Sequence, residues 1–209
     1  MFENEVASEV VEAIPRWKTG PPKGFTKRRD IFTREEVEDL LEKFYQFTDG
    51  KECIVLTAFL YITGCRIMEA LTLIKNSFRF DDRYMYTRIR WLKTNNRSGT
   101  QQYRTLPAIS LDKTPFLDIV LERITSLQNS DDIVFRIPYR RYLRRLQTIS
   151  PLAWTHLFRH TRITLLAEQG WNEWQLAGWA GWAHGRRAES YVNSARARSA
   201  VTGMGDNLE

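Results

Sequence analysis

Along most of this chain, apolar residues recur every three or four positions, which is the spacing of one buried face of an α-helix. Thr33 and Glu36 have the spacing of a capping box, and apolar residues follow them in helical register, so a helix is predicted to begin there. A turn near Gly64 is predicted to lead into a third helix. The same periodicity predicts helices at residues 52–63, 113–128 and 152–170, and a short tryptophan-rich one at 171–179.

Two stretches alternate instead between apolar and polar residues, which is the period of a β-strand. Residues 83–93 and 101–108 have this alternation, and the polar segment 94–100 between them contains Gly99. The pattern predicts a β-hairpin. Together with the helices, it predicts a mostly α-helical fold of the α+β kind, with a small antiparallel sheet on one side.

The length of 209 residues suits one domain with small appendages. Residues 1–30 are acidic at first and then contain a Gly-Pro-rich segment and a basic triplet, so we expect an N-terminal arm or linker. Residues 31–193 are predicted to form the folded domain. Residues 194–209 are small, polar and glycine-containing, and we expect a flexible tail there.

No apolar run approaches the roughly 18 residues that a membrane-spanning helix requires, and the N-terminus lacks the pattern of a secretory signal. We therefore expect no membrane partner. Cys53 and Cys65 lie in apolar surroundings and show no metal-ligand or disulfide spacing, so they are predicted to be buried thiols in a reducing compartment.

The net charge of +6 is unevenly distributed, because the first fourteen residues carry four glutamates and no cation. A basic body with an acidic leader indicates a polyanionic partner, and nucleic acid is the first candidate. A basic protein without such a partner is the alternative that composition leaves open.

A cluster of arginines lies between residues 136 and 145. On a helix, Arg140, Arg141, Arg144 and Arg145 would share one cationic face, which suits a DNA phosphate backbone. Arg97, in the predicted hairpin turn, is a further candidate DNA contact. A solvated basic face is the competing interpretation.

The stretch from residue 154 to residue 191 holds most of the candidates for chemistry. His156 and Arg159 are three residues apart, so on a helix they share one face and present a ring N–H beside a guanidinium fork. Such a pair suits a phosphate group. Tyr191 lies on a later predicted helix and could supply an oxygen nucleophile. Arg66 and Glu69 are also three apart, which by itself indicates an ordinary helical ion pair.

Taken together, these pieces resemble the catalytic domain of the tyrosine recombinase, or phage-integrase, family over roughly residues 31–193. Residues 63–69 match the family's Thr-Gly-x-Arg-x-x-Glu motif, which contains Arg66 and Glu69, and Lys93 matches its hairpin lysine. Residues 156–161 match its His-x-x-Arg-His-Thr motif. Tyr191 stands nine residues after Trp182, the interval of the family's nucleophilic tyrosine.

The chain departs from the family pattern in two places. Trp182 stands where the family usually has a histidine; it keeps a ring N–H donor but cannot transfer protons, so it is expected to position the phosphate. His184 is the second candidate for this role, although its spacing to Tyr191 is wrong. The family also usually carries a separate N-terminal DNA-clamping domain, so we expect either the catalytic domain alone or an unusually short protein.

The resemblance implies a site-specific DNA recombinase or integrase that works without metal or cofactor. Tyr191 would attack a phosphodiester to give a 3′-phosphotyrosine, Arg66 and Arg159 would stabilise the phosphorane, and Lys93 would protonate the leaving 5′-oxygen. His156 and Trp182 would donate further N–H groups. Glu69 would orient Arg66 or a neighbouring histidine, and His160 would give packing and support behind the reacting groups.

The partners implied are double-stranded DNA and a homotetramer on DNA, with a monomer in its absence. The location implied is the cytoplasm or nucleoid of a prokaryote, or the host cell of a virus or mobile element. Three alternatives stay open: a nicking–closing enzyme like type IB topoisomerases, a non-catalytic DNA-binding domain of this fold, and a metal enzyme using His156 and His160.

Overall fold

The computed structural model describes residues 31–90, 103–106, 109–110 and 115–196. The helices are α1 (Arg34–Phe44), α2 (Gly50–Thr63), α3 (Ile67–Ala70), α4 (Pro115–Ser126), α5 (Tyr139–Ile149), α6 (Thr155–Glu168) and α7 (Glu173–Ala180). A further helix, α8, covers residues 189–196. The strands are β1 (Phe78–Phe80), β2 (Tyr84–Arg90), β3 (Tyr103–Thr105) and β4 (Ile109–Ser110). Single 3₁₀ turns lie at Lys75–Ser77 and Gly185–Arg187.

The helix boundaries follow from local chemistry. At the start of α1, Thr33 Oγ1 accepts the Glu36 amide at 3.2 Å and Glu36 Oε2 accepts the Thr33 amide at 2.8 Å, which confirms the predicted capping box. At the end of α2, Gly64 adopts φ +59°, a left-handed conformation that favours glycine. A Cβ on Gly64 would also lie 2.8 Å from Arg162 Cβ, so α6 passes directly over this turn.

The sheet is small and antiparallel. β2 pairs with β1, with Phe78 opposite Thr87, and with β3, with Ile89 opposite Arg104; β4 pairs with the start of β2. The pairing of β2 with β3 confirms the predicted hairpin, while its turn lies outside the described residues. The sequence pattern missed β1, because three residues are too few to display a period.

The buried side chains form two groups, and α6 contributes residues to both. The larger group joins α1, α2, α4, α5 and the sheet to the start of α6, which contributes Leu157 and Phe158. The smaller group joins the end of α6, including Ile163 and Leu166, to α7 and α8. Helix α6 therefore crosses both groups, and the residues on its first two turns lie where they meet.

The fold is mostly α-helical with a small antiparallel sheet, as predicted, and all the described residues belong to one compact unit that begins at Ile31. The tail boundary needs a correction. Residues 194–196 were assigned to the flexible tail, but they continue α8, and Ala195 is buried in the smaller group. Short alanine-containing segments are good helix formers, and composition alone could not show that one face of this one is buried. Residues 197–209 lie outside the described residues.

Candidate active site

Arg159 is the buried centre of the candidate site. Its side chain points from the second turn of α6 and is 6% exposed. Nη1 donates to the Gly64 carbonyl at 3.1 Å, and Nη2 donates to the Ala180 carbonyl at 2.5 Å. These carbonyls stand at the C-terminal ends of α2 and α7, where backbone oxygens lack helical partners and carry partial negative charge. One guanidinium group therefore joins the ends of two helices.

The same two helix ends are joined by an indole. Trp179, on the last turn of α7, donates from Nε1 to the Thr63 carbonyl at 2.8 Å. Trp179 is itself buried, so this hydrogen bond lies in the interior. The loop that follows α2 and the turn that follows α7 are consequently held beside one another.

The arginine motif begins on the first of these segments. Arg66 Nη1 donates to Glu69 Oε1 at 2.8 Å, and the Arg66 amide donates to Glu69 Oε2 at 3.0 Å. Arg104 Nη2, on β3, donates to the same Oε2 at 3.2 Å. Glu69 is 1% exposed, so its carboxylate is a buried anion shared by two arginines.

The charges of these residues act on one another. Burial, together with the neighbouring Arg66 and Arg104 cations, lowers the pKa of Arg159 to about 10, and Glu69 partly opposes this change. Arg159 remains protonated at neutral pH. Because Gly64, which accepts from Arg159, is only two residues before Arg66, geometry and electrostatics agree that Arg66 and Arg159 lie close together.

Trp182 lies next to this cluster. Its amide donates to the Ala177 carbonyl at 2.9 Å, and the preceding Gly181 adopts φ +63° at the end of α7. The Arg159 guanidinium carbon is 5.4 Å from the centre of the Trp182 ring, within the range of a cation–π contact. Trp182 is partly exposed, whereas His184 is exposed, two residues further along the chain.

Tyr191 completes the group from α8. Its hydroxyl lies 3.1 Å from His160 Nδ1, and its ring centre is 6.1 Å from that of Trp182. Tyr191 is half-buried; burial raises the pKa of its phenol, and the Arg159 cation partly offsets that rise. His160, which is expected to give packing and support behind the reacting groups, contacts the Tyr191 hydroxyl directly.

Three further residues were predicted to belong to the site, and the structure describes one of them. His156 lies on the first turn of α6, one turn before Arg159, and its side chain is exposed. Lys93 and Arg97 lie outside the described residues. The predicted roles of these three residues remain predictions.

The other four arginines predicted to contact DNA all lie on α5. Arg140 and Arg144 are exposed, but Arg145 Nε is 3.0 Å from Asp49 Oδ1 and Arg141 Nε is 3.8 Å from Asp49 Oδ2. The Arg145 guanidinium also lies over the Phe47 ring at 4.4 Å. Part of the cationic face is therefore paired within the protein.

Arg104 was missed by the sequence interpretation, although a signal for it existed. It lies two residues before the buried Leu106 and opposite the buried Ile89. Strand alternation places all three side chains on one face. An arginine on the buried face of a strand is unusual and indicates a specific partner.

Within the described ranges, no three or more His, Cys, Asp or Glu side chains are grouped to hold a metal ion. Cys53 and Cys65 are buried free thiols, as predicted. No helix in the described part of the chain is long and apolar enough to span a membrane.

A helical bundle with a small antiparallel sheet beside it, crossed by one helix that carries the His-x-x-Arg-His motif, is the architecture of an integrase-like catalytic domain. The chain belongs to the phage integrase family, whose model matches residues 30–198. The predicted resemblance is therefore confirmed. No curated protein sequence matches the chain.

Solved structures share this fold at low sequence identity. The catalytic domain of bacteriophage HP1 integrase is 18% identical, with a TM-score of 0.54, over 84% of this chain and 95% of that one. The XerH site-specific recombinase bound to its difH substrate in a pre-cleavage complex is 17% identical, with a TM-score of 0.56, over 79% of this chain. The XerA recombinase is 16% identical, with a TM-score of 0.56, over 88% of this chain and 66% of that one. The chain matches only 50% of the length of the XerH chain.

Proposed function

We propose that this protein is a site-specific DNA recombinase that cleaves and rejoins DNA through a 3′-phosphotyrosine intermediate on Tyr191. The observation that carries the proposal is the convergence of Arg66, Arg159, Trp182 and Tyr191, which come from three separated parts of the chain. A recombinase of this kind needs cations, neutral N–H donors and a phenol oxygen around one phosphorus atom.

Arg66 and Arg159 bind the non-bridging oxygens of the scissile phosphate. A guanidinium has five N–H donors, and the Gly64 and Ala180 carbonyls occupy only two of those on Arg159. Glu69 occupies one of those on Arg66. The remaining donors are preorganised, so they meet the extra negative charge of the transition state without reorganising.

The Tyr191 oxygen is the nucleophile, and His160 accepts its proton. As the Tyr191 Oη–P bond forms, the bond between phosphorus and the 5′-oxygen breaks, and the phenolic proton passes to His160 Nδ1. The 3.1 Å separation of these atoms suits direct transfer. Because burial raises the pKa of Tyr191, a proton acceptor in contact with the hydroxyl is needed for attack near neutral pH.

The leaving 5′-oxygen receives a proton from Lys93, a role carried over from the family resemblance. An ammonium group can donate a proton in this step, whereas the guanidinium groups of the site remain charged. His156 and Trp182 add N–H donors to the phosphate. In the reverse step, a 5′-hydroxyl of another strand attacks the phosphotyrosine, so bond energy is conserved and no nucleotide or metal takes part.

DNA binding outside the scissile phosphate is assigned to Arg97 and to the α5 arginines, chiefly the exposed Arg140 and Arg144. Their contacts to backbone phosphates would make affinity fall steeply with salt. The active form is proposed to be a homotetramer on two duplexes, in the cytoplasm or nucleoid of a prokaryotic cell or in the host cell of a mobile element.

The test combines selection of a binding sequence with covalent trapping. Tyr191→Phe protein is used to select bound duplexes from a random pool, and these sequences are rebuilt with a strand nick so that the cleaved fragment diffuses away. Wild-type protein is expected to give a covalent adduct on a denaturing gel. Tyr191→Phe should give none while its Kd stays unchanged, because only the attacking oxygen is lost.

Tyr45→Phe is the matched control, because Tyr45 is 68% exposed at the end of α1 and should keep full activity. An adduct that persists in Tyr191→Phe would disprove the assignment of the nucleophile. Bound sequences without any wild-type adduct would instead indicate the non-catalytic DNA-binding alternative. Relaxation of a supercoiled plasmid without strand exchange would indicate the topoisomerase-like alternative.

A further inference from the structure

We propose that Arg104 is a positioning residue for DNA cleavage, which holds Glu69 in the orientation that Arg66 requires and fixes the turn that carries Trp182. This inference rests on the proposed function and adds a residue outside residues 63–69 and 156–161, Lys93, Trp182 and Tyr191. Arg104 comes from the sheet, and its side chain is 10% exposed. It acts through other residues and needs no contact with the phosphate.

The first connection runs through Glu69. Its Oε1 accepts from the Arg66 side chain, while its Oε2 accepts from the Arg66 amide and from Arg104 Nη2 at 3.2 Å. Both Arg66 contacts come from the same turn of chain as Glu69 and would move with it, whereas the Arg104 contact ties the carboxylate to β3. The Arg104 contact therefore fixes the carboxylate, and with it the Arg66 guanidinium, relative to the sheet.

The second connection runs to the end of α7. Arg104 Nη1 donates to the Trp179 carbonyl at 3.3 Å, one residue before the carbonyl that Arg159 binds. Its guanidinium also packs on Gly181: a Cβ there would lie 2.7 Å from Arg104 Nε and 2.9 Å from Cζ. The Arg104 side chain thus occupies the space that a side chain at position 181 would need. Trp182 is the next residue along the chain.

The energetic cost of this arrangement argues for a role beyond stability. Arg104 Nε is buried and has no hydrogen-bond partner among the described residues, which costs the protein free energy of desolvation. Three guanidinium groups, those of Arg66, Arg104 and Arg159, also surround the single Glu69 carboxylate. An apolar side chain would avoid both costs, so the cation is retained for the geometry that it imposes.

The experiment measures single-turnover adduct formation on a nicked duplex that the protein already binds. Arg104→Met removes the charge and keeps most of the side-chain volume. Adduct formation is expected to slow by at least about tenfold, the factor that 1.4 kcal/mol of barrier gives, while Kd for DNA changes less than about twofold. An unchanged rate would overturn the proposal.

A double-mutant cycle tests whether the effect passes through Glu69. In a Glu69→Gln background, the rate effect of Arg104→Met is expected to shrink by at least about threefold, because residues that act through one another are not additive. Full additivity would overturn the Glu69 connection. Addition of methylguanidinium to Arg104→Ala should restore part of the rate, which a variant that had simply unfolded would not show.

Arg123→Met is the matched control. Arg123 also bonds a carboxylate, Glu52, at 2.8 and 3.0 Å and a backbone carbonyl, that of Val134, at 2.8 Å. The Arg123→Met substitution is expected to lower Tm without changing the rate of adduct formation. If Arg123→Met slowed the reaction as much as Arg104→Met, general destabilisation would explain both, and the proposal would fail.

A measurement without DNA separates this inference from the proposed function. The NMR order parameter of the Arg66 Nε–H group is expected to fall in Arg104→Met and to stay unchanged in Arg123→Met. If wild-type protein formed no adduct but Arg66 still became mobile, the recombinase proposal alone would fail. If Arg66 stayed rigid in Arg104→Met, the positioning role would be disproved whatever the activity.

Discussion

The Tyr191 hydroxyl lies 3.1 Å from Nδ1 of His160, although the two residues come from different helices and are 31 positions apart. Their ring centres are 5.3 Å apart, and the ring centre of Trp182 is 6.1 Å from that of Tyr191. The residue immediately after Arg159 therefore holds the proposed nucleophile. The arginine proposed to bind the phosphate and the histidine proposed to accept the proton are therefore neighbours on one helical turn.

His160→Gln tests whether His160 acts as a base. Glutamine can still hydrogen-bond to Tyr191 but cannot accept its proton, so adduct formation is expected to slow by about 10²-fold, with DNA affinity retained. Single-turnover rates on a nicked duplex provide the measurement. A rate close to that of wild type would mean that His160 only orients the phenol. His184→Gln should leave the rate unchanged, because Trp182 and not His184 lies beside Arg159.

Arg159→Lys should reduce the cleavage rate by roughly 10²–10³-fold, since a compact ammonium cannot replace the planar guanidinium fork that reaches both helix-end carbonyls and the phosphate. Quantified adduct on a denaturing gel gives the result. Arg162→Lys is the control, because Arg162 lies one turn further along α6, with its guanidinium 5.2 Å from the Trp179 ring, outside the proposed machinery. Equal losses in both variants would contradict the special role of Arg159.

Gly181→Ala should lower both stability and the adduct rate. The substitution forces a left-handed φ of +63° on alanine and drives Cβ to 2.7 Å from Arg104 Nε. Gly178→Ala, in the interior of α7 with nothing within 4 Å of the added Cβ, should raise the free energy of unfolding by about 0.5–1 kcal/mol. Urea unfolding and adduct assays measure both effects. A Gly181→Ala protein with normal stability and rate would refute the close packing on Arg104.

Alkaline pH should destabilise the protein partly through Cys65. Burial raises the pKa of its thiol to about 12, and the nearby Glu69 carboxylate adds to this rise. The unfolded thiol ionises from about pH 8.5, so the stabilisation is complete below that pH and is lost as the pH rises towards 12. In urea unfolding between pH 7.5 and 10, Cys65→Ala should show a shallower loss of stability than wild type. Parallel curves would contradict this.

The sequence by itself determined the kinds of elements and the order of the motifs. Helical and strand periods depend on which positions are apolar, and the capping box at Thr33 and the left-handed Gly64 are set by residues only a few positions apart. The motifs could also be identified from the sequence, because the members of each pair, Arg66 with Glu69 and His156 with Arg159, are three residues apart. Those features predicted the α+β fold and the family, which the matching family model confirms.

Only the tertiary structure decided which groups meet. Arg159 lies 95 positions from Gly64 and 21 from Ala180, yet it bonds both carbonyls. Arg104 reaches Glu69 across 35 positions, and His160 reaches Tyr191. No local period specifies such contacts, because they depend on how α6 crosses two groups of buried side chains and on where two helices end. Which carbonyls lack a helical partner is decided only once the helices have formed and packed. The sequence could therefore identify the arginines but not the groups that they bind.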